Sequence, residues 1–371
     1  IQARLDYLDA HAYWMHPTFP GRPWDSNNWY VRNEALVNNP GGTLASLASR
    51  RVAGMAYTVS EYNHPAPIQY AAEGFPMIAA FGAFQAWDGI FMFAYCHNDD
   101  FEPRKVSSYF DVKANTTRLV HMPACAALFL RGDVTAAKQT LLAPLSAEAE
   151  IEKLHETLTA HSLNTSQFGL DELAPLRHAV AVDLSAKAKP AAAVAPADAD
   201  VFVSDTDQIR WDVSQQGAGF FTVNTPQTKL FTGFVRGRTF ELGDIRLAIG
   251  KTRLDWATIS MVAVDGQGFA GQGRILIAAT GDMQNKDANL QQLGGNRVTL
   301  QRQWGTEPIL CEGIPARLTL PVPADRVRLY PLDESGNRRE AIPCSSYKGE
   351  TLLTLDPKHK TVWYEAEILA Q

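Results

Sequence analysis

The feature that most constrains the fold of this chain is a low-complexity run near its middle, LSAKAKPAAAVAPADAD, at residues 184–200. A segment so rich in Ala and Pro buries little apolar surface and favours extended backbone. The hydrophobic pattern differs on its two sides, so the run predicts a linker between two domains, residues 1–183 and 201–371. A chain of 371 residues is long enough for more than one core.

Before the predicted linker, continuous apolar runs alternate with helix-like segments. The runs at 5–14, 55–61 and 89–95 predict buried strands, and residues 68–86 are apolar at helical spacing. Strands that alternate with helices indicate a parallel sheet. After residue 200, short alternating segments are punctuated by Gly, Asp, Asn and Pro. That pattern is typical of an antiparallel β-sandwich.

Polar side chains end two of the predicted strands in the first domain. His11 and Tyr13 end the first strand, and Glu61 ends the second. Glu61 has the same parity as Tyr57 and Val59, so a regular strand would place all three on one face. A carboxylate at the carboxyl end of a buried strand is where a (β/α) barrel keeps its chemistry.

The order of these motifs resembles the last three strands of a clan A glycoside hydrolase barrel. Asp9-x-His11-x-Tyr13 stands where that clan has a His-x-Tyr element at the end of strand six. Glu61, within Ser-Glu-Tyr, stands where the clan has its nucleophile at the end of strand seven. The resemblance covers about residues 1–100. It implies a partial (β/α)8 TIM barrel containing the last three strands, followed by a β-sandwich accessory domain.

The resemblance also implies a reaction, the retaining hydrolysis of a β-linked polysaccharide of the glucan or xylan class, as in cellulases and xylanases. Glu61 would be the nucleophile, and His11 and Tyr13 would orient it or contact the sugar. A retaining glycosidase uses one ionised carboxylate for attack and one protonated carboxyl to assist departure. The reaction needs no cofactor or metal. We expect a protein of this kind in the extracellular space or the periplasm.

Aromatic and polar residues near the strand ends are candidates for substrate binding. Sugar rings stack on aromatic faces, because their axial C–H groups meet the negative π-face. Trp14, Trp24 and Trp29 lie in or beside the long loop after the first strand and predict a sugar platform. Further contacts are expected from Asn63, His64 and Tyr95, which follow or end the second and third strands.

The clan A acid/base is not identified in this chain. It would end strand four, after an Asn, and that strand is absent from the predicted partial barrel. Asn33-Glu34 has the dipeptide but lies in a loop. The chain therefore resembles the C-terminal part of a larger enzyme, and we expect its open barrel edge to be covered by a missing N-terminal half or by self-association. The alternatives are a non-catalytic remnant that binds glycan or a partner, and hydrolysis of another bond, such as an ester.

Composition argues against other classes of function. The net charge of −6, without a Lys/Arg cluster, gives no field for nucleic acid. No apolar run reaches the ~18 residues of a membrane span. The sequence has no G-x-S-x-G, P-loop or H-E-x-x-H motif. Four widely spaced cysteines predict buried free thiols and no metal site, with the last two as the one pair to check for a disulfide: Cys96, Cys125, Cys311 and Cys344.

Overall fold

The computed structural model of the chain describes residues 5–102, 104–159, 164–185 and 200–370. Its content is 35% strand and 17% helix. The linker predicted at 184–200 concerns mainly residues 186–199, which lie outside these ranges. Among the described helices, none has the length and apolar character needed to cross a membrane.

The first half of the chain combines short strands with helices. Its strands are β1 (Tyr7–Tyr13), β2 (Val31–Arg32), β3 (Ala56–Asn63), β4 (Gly89–Met92), β5 (Thr140–Pro144) and β6 (Ala179–Asp183). Its α-helices are α1 (Thr43–Ala48), α2 (Gly74–Phe84), α3 (Thr116–Leu119), α4 (Met122–Phe129) and α5 (Ala147–Thr157). Short 3-10 turns lie at Leu36–Asn38, Ala71–Glu73, Thr165–Phe168 and Ala174–Leu176.

The parallel pairing in this half is limited to two small sheets. Strands β1, β3 and β4 form one sheet in the order β1-β3-β4, and β5 pairs with β6 in the other. Helix α2 follows β3 and is buried along nearly its whole length. Pro76 is tolerated there because it lies in the first turn, where backbone N–H groups have no intrahelical acceptor. Gly74 is required at the start of the helix, because a Cβ would collide with the ring of His64.

The prediction of a partial (β/α)8 barrel was wrong. Most of the described strands belong to antiparallel sheets, and the strands β1, β3 and β4, which the barrel would contain, form a separate small sheet. The one α-helix in the crossover from β1 to β3, all of which is described, is the short α1, and α2 packs against α4 rather than in an outer ring of helices. One face of the small sheet carries Tyr7 and His11, whose exposed fractions exceed one half. In a barrel, the inward face of the strands would be packed with buried side chains, and this face is instead open to solvent.

The second half forms two large antiparallel sheets, which fit the predicted β-sandwich. The eight-stranded sheet contains β7 (Val201–Val203), β8 (Ile209–Asp212), β9 (Phe220–Asn224), β10 (Thr228–Phe234), β13 (Trp256–Ala263), β14 (Gly273–Thr280), β20 (Val327–Pro331) and β23 (Trp363–Ile368). The five-stranded sheet contains β11 (Thr239–Leu242), β12 (Ile245–Ile249), β19 (Ala316–Leu320), β21 (Ser345–Tyr347) and β22 (Glu350–Leu355).

Smaller elements connect these layers. Strand β15 (Met283–Lys286) pairs with β18 (Thr306–Cys311). Strands β16 (Gln291–Gln292) and β17 (Arg297–Thr299) extend β2 into a three-stranded sheet, which joins the two halves of the chain. Two further 3-10 turns lie at Ala324–Arg326 and Pro357–His359.

The eight-stranded sheet is covered on both faces. Phe231, Ile259 and Ile277 belong to the core shared with the five-stranded sheet. Trp211 and Phe221 belong instead to a core shared with the strands and helices of the first half. Hydrophobic burial on two faces makes this sheet the central layer of the molecule.

A buried histidine attaches the first half to this central layer. His121 immediately precedes α4, and its ring nitrogens lie 2.8 Å from Ser260 Oγ on β13 and 2.8 Å from Thr280 Oγ1 on β14. A neutral imidazole satisfies both hydroxyls, donating to one and accepting from the other. Burial lowers the pKa of His121 to about 3, which keeps the ring neutral.

We therefore expect acid to destabilise the fold through His121. In the unfolded chain a histidine has a pKa of about 6.5. Between pH 6.5 and 3, His121 therefore binds a proton in the unfolded state but not in the folded state, so the unfolding free energy falls as the pH falls. Replacing His121 with Gln removes this titration. Between pH 7.5 and 4.5 the wild type should lose about 3 kcal/mol more unfolding free energy than His121→Gln, measured by denaturant titration. His155→Gln on the exposed face of α5 is the control and should behave as the wild type; an equal loss in His121→Gln would contradict the assignment.

Candidate functional site

A cleft of about 520 Å³ opens at the carboxyl ends of the three parallel strands. Tyr13 ends β1, Glu61 lies near the end of β3, and Phe93 directly follows β4. Parallel pairing brings these ends to one edge of the sheet, as the sequence predicts. The lining consists of aromatic rings, two histidines, one serine and one carboxylate: Tyr13, His16, Trp24, Glu61, Phe93, His97, Ser108, Tyr109 and Phe110.

A β-bulge at Ser60 determines the direction of Glu61. Ala10 pairs with Val59 and His11 pairs with Glu61, so β3 contains one additional residue at this point. Such a bulge turns the following side chains to the other face of the sheet. Val59 is fully buried, whereas Glu61 is partly exposed beside His11. The parity argument, which placed Glu61 on the face of Val59, was therefore wrong.

Asp9 holds this bulge in place. Its Oδ1 accepts hydrogen bonds from the Ser60 backbone N–H (3.1 Å) and the Thr58 hydroxyl (2.6 Å), and its Oδ2 accepts one from Ser60 Oγ (2.5 Å). Partial burial alone would raise the pKa of Asp9, but the hydrogen bonds from Ser60 and Thr58 and the proximity of His11 lower it overall. Asp9 is therefore an ionised carboxylate over the working range of most enzymes.

One oxygen of Glu61 is committed to protein partners. The Tyr13 hydroxyl donates a hydrogen bond to Glu61 Oε2, and His11 Nδ1 lies 3.5 Å from the same oxygen. Among the described residues, no hydrogen bond reaches Oε1, which is left for a ligand. Burial and the bond to Glu61 raise the pKa of Tyr13, so the phenol stays protonated and keeps donating.

His11 lies between two carboxylates. Its Nε2 is 3.1 Å from Asp9 Oδ2, on the side of the ring opposite to the contact with Glu61. The ring is about half exposed, with 52% of the side chain accessible. A continuous chain of polar contacts thus crosses the end of the small sheet, in the order Asp9, His11, Glu61, Tyr13.

A second histidine–carboxylate pair lies on the other side of the cleft. His97 Nδ1 is hydrogen-bonded to Asp111, whose carboxylate is buried. The Phe93 ring contacts His97 edge-on at 5.1 Å between centroids and Tyr13 at 5.7 Å. One aromatic ring therefore separates His97 from the Tyr13–Glu61 pair. With Nδ1 committed to Asp111, Nε2 is the nitrogen that can exchange a proton with a ligand.

The cleft wall exposes one large ring. The Trp24 side chain is 59% exposed and packs against Phe19 and Tyr109, with centroid distances of 5.0 and 6.1 Å. Its backbone has a φ of 61°, a left-handed conformation that is strained for a bulky residue. Strain of this kind, at about 1–3 kcal/mol, is maintained only where the surroundings enforce it and is concentrated at functional sites.

The other predicted sugar-binding residues do not line the cleft. Trp14 and Trp29 are buried; Trp14 Nε1 donates to the Glu34 carbonyl (2.8 Å), and Trp29 stacks on Trp304. Tyr95 is exposed but stacks on Phe101 outside the lining. Glu34, the residue of the Asn-Glu dipeptide, lines a different depression of the surface.

Asn63 and His64 are buried behind the cleft, where they support its walls. Asn63 Nδ2 donates to the carbonyls of Phe93 and Phe110, both of which carry lining rings. His64 Nε2 lies 3.1 Å from the Tyr62 hydroxyl, and its Nδ1 lies 3.8 Å from Glu73. Burial, together with the charge of a neighbouring arginine, lowers the pKa of His64 well below its usual value, so the ring is neutral.

Several lining residues are not among the sequence-predicted site residues. His16, Phe93, Tyr109 and Phe110 come from connecting segments, and Asp111 supports His97 from the same region. The run Tyr-Phe-Asp at 109–111, two aromatics followed by a carboxylate in an otherwise polar stretch, is the signal that could have indicated them.

Metal and disulfide chemistry have no site in the described ranges. No group of three or more His, Cys, Asp or Glu side chains there is arranged to hold a metal ion. The four cysteines are free, and Cys311 and Cys344 are not joined. Burial raises the pKa of the Cys125 and Cys311 thiols to about 12, which keeps them unreactive.

No protein-family model matches the sequence, and the comparisons with curated proteins and with solved structures found no match. The geometry of the cleft therefore carries the functional conclusion.

The support given by Asn63 leads to a prediction about stability. Asn63→Ala would leave the Phe93 and Phe110 carbonyls and the Arg118 guanidinium without this partner. We expect the unfolding free energy to fall by about 2–4 kcal/mol, because buried polar groups would be left unpaired. Denaturant titration measures the change. Asn27→Ala, at an exposed turn, is the matched control and should change stability by less than about 0.5 kcal/mol; similar losses in both variants would contradict the structural role of Asn63.

Proposed function

We propose that this protein is a retaining glycoside hydrolase that cleaves a β-linked polysaccharide, with Glu61 as its nucleophile. The observation that carries the proposal is the hydrogen bond from Tyr13 to Glu61 Oε2 in an aromatic-lined cleft. That bond fixes the carboxylate and leaves Oε1 to attack. A glycosidase nucleophile must be held in position and must stay ionised. A tyrosine hydroxyl that donates a hydrogen bond holds the carboxylate without neutralising it.

His97 is the proposed proton donor. A retaining mechanism needs a group that protonates the leaving oxygen and later accepts a proton from water. Asp111 holds Nδ1 of His97, so Nε2 can carry that proton, and the ring shares the cleft with Glu61. A histidine in this role replaces the second carboxyl group of the usual glycosidase pair. His11, between Asp9 and Glu61, holds the nucleophile and is a positioning residue.

The reaction follows in two balanced steps. Glu61 Oε1 bonds to the anomeric carbon while the bond to the leaving oxygen breaks, and that oxygen takes the proton from His97 Nε2. Water then attacks the anomeric carbon and gives a proton to His97. The bond between the anomeric carbon and Glu61 Oε1 breaks, so the sugar is released and the Glu61 carboxylate is restored. Tyr13 donates to Oε2 throughout, so it stabilises the carboxylate when it leaves the sugar.

The aromatic walls favour a glucan or xylan as the substrate. In β-linked glucose and xylose the ring hydroxyls are equatorial, so each ring face presents C–H groups to an aromatic face. Trp24 offers such a face at the cleft wall, and Tyr109 packs beside it in the same lining. Binding across these rings would bring a glycosidic bond to Glu61.

The two proposed roles predict different responses to leaving-group quality. On an aryl β-cellobioside or β-xylobioside with a poor leaving group, His97→Asn should lose about 10²–10⁴-fold in kcat, because protonation assists departure. With a dinitrophenyl leaving group, which needs little protonation, His97→Asn should approach the wild-type rate of the first step, whereas Glu61→Gln should be inactive on both substrates. The measurement is release of the phenol by absorbance.

His155→Asn, on the exposed surface of α5, is the control for His97→Asn and should retain full activity. Wild-type rates for Glu61→Gln on both substrates would exclude Glu61 as the nucleophile. Equal losses for His97→Asn on the two substrates would exclude His97 as the proton donor.

A second candidate function is glycan binding without cleavage. It is favoured by one observation: within the described residues, Glu61 is the single carboxylate in the cleft lining. A usual retaining pair has two carboxyl groups about 5–5.5 Å apart. Under this alternative, the same aromatic wall and the same Glu61 oxygen would bind sugar hydroxyls and ring faces, and the wild type would cleave none of the polysaccharides tested.

Both functions require Trp24 to contact the sugar. In a Glu61→Gln background, which prevents cleavage, Trp24→Ala should weaken binding of cello- or xylo-oligosaccharides about 3- to 10-fold, the loss of one stacking contact of ~0.5–1.5 kcal/mol. Calorimetric titration measures the affinity. Tyr347→Ala removes another exposed aromatic ring, on β21, and should leave the affinity unchanged. Equal affinity with and without the Trp24 ring would contradict its role in binding.

A further inference from the structure

A buried arginine lies behind the cleft with much of its hydrogen-bonding capacity unused. Arg118, in α3, is 1% exposed, and its Nη1 donates to Asn63 Oδ1 at 2.5 Å. Its Nε and Nη2 are also buried, and no described residue accepts a hydrogen bond from either. A buried donor without a partner costs about 1–3 kcal/mol, and more when the group is charged. The unused N–H groups therefore indicate a missing acceptor.

Arg118 lines a small, partly enclosed cavity of about 50 Å³. Polar side chains and apolar side chains share the remaining lining. A cavity needs roughly 10–15 Å³ of such volume to hold one water molecule. This cavity therefore has room for a halide-sized ion together with water. The polar lining residues are Gln69, Asn115, Thr117, Arg118, Asp282, Gln284 and Asn285.

The charge of Arg118 is not balanced by an adjacent carboxylate. Burial lowers the pKa of Arg118 to about 9, which still leaves it a cation at neutral pH. Asp282 lines the same cavity, but its Oδ2 accepts from Gln69 Nε2 (2.8 Å) and pairs with Arg253 (3.2 Å). Its Oδ1 accepts from the Met283 backbone N–H (2.8 Å). Arg253 thus neutralises Asp282 and leaves the positive charge of Arg118 for another partner.

We propose that the cavity beside Arg118 binds a small monovalent inorganic anion of the size of chloride. The anion accepts hydrogen bonds from the unused N–H groups at Nε and Nη2 and balances the buried positive charge. The side-chain amide of Gln284 lies in the same lining and can donate to a halide. The donors of Asn285 and Thr117 are already bonded to Val106, Trp304 and Asn115.

The anion would be coupled to the cleft through Asn63. The same side chain accepts from Arg118 and donates to the carbonyls of Phe93 and Phe110. Fixing the guanidinium fixes Asn63, and Asn63 holds two of the segments that line the cleft. The site is independent of the reaction proposed above, and its test needs no substrate.

Chloride should stabilise the wild-type protein saturably. The melting temperature is measured in sodium chloride and in sodium gluconate at equal ionic strength, which removes general screening from the comparison. At 100-fold excess over the dissociation constant, we expect chloride to raise the melting temperature by about 3 °C relative to gluconate. Arg118→Met should abolish the difference. Arg274→Met, which removes a surface arginine paired with Asp265, should retain it.

Bromide provides a direct measurement that does not depend on the variant folding. Crystals of the wild type grown in sodium bromide should give an anomalous peak in the cavity, within hydrogen-bonding distance of Arg118 Nη2. Absence of that peak, with water in the cavity linking Arg118 to Asp282, would overturn the proposal. Equal melting temperatures in chloride and gluconate, or a chloride effect that survives in Arg118→Met, would also overturn it.

Discussion

The hydrogen bonds that Asp9 accepts from the bulge in β3 determine whether the Glu61 carboxylate faces the cleft. A regular strand would bury Glu61 with Tyr57 and Val59, where an ionised carboxylate is costly. Asp9 captures the Ser60 N–H that the bulge removes from the ladder, and the bulge turns Glu61 toward His11 and Tyr13. The carboxylate that forms the polar centre of the cleft therefore depends on another carboxylate that does not line it.

The rest of the molecule supports this edge from behind. Helix α2 packs on α4, and His121 attaches the start of α4 to two strands of the eight-stranded sheet. Asn63 joins the end of β3 to the segments that carry Phe93 and Phe110. A site whose supporting residues are themselves packed and hydrogen-bonded is held more rigidly than one carried by free loops.

The sequence was sufficient to predict the meeting of β1 and β3 and the proximity of His11, Tyr13 and Glu61, because parallel strands place their carboxyl ends at one edge. It was not sufficient to predict the bulge, since one extra residue reverses the parity without changing the hydrophobic pattern. The identity of a residue also does not specify whether its ring is buried, as Trp29 and Trp24 illustrate. The barrel was predicted wrongly because a local βα pattern does not specify which layer covers the sheet, and here antiparallel strands from the second half dominate.

The shared core on one face of the eight-stranded sheet has a consequence for how such a protein can evolve. Trp211 Nε1 donates to the Val37 carbonyl at 2.7 Å, and Tyr70 packs edge-on against Trp256, so residues far apart in the chain complete one interior. Recombination that joined either half to a foreign partner would expose these rings and break their hydrogen bonds. The two halves must therefore be inherited together, and the sheet face that supports the cleft is constrained by residues of the other half that do not line the cleft.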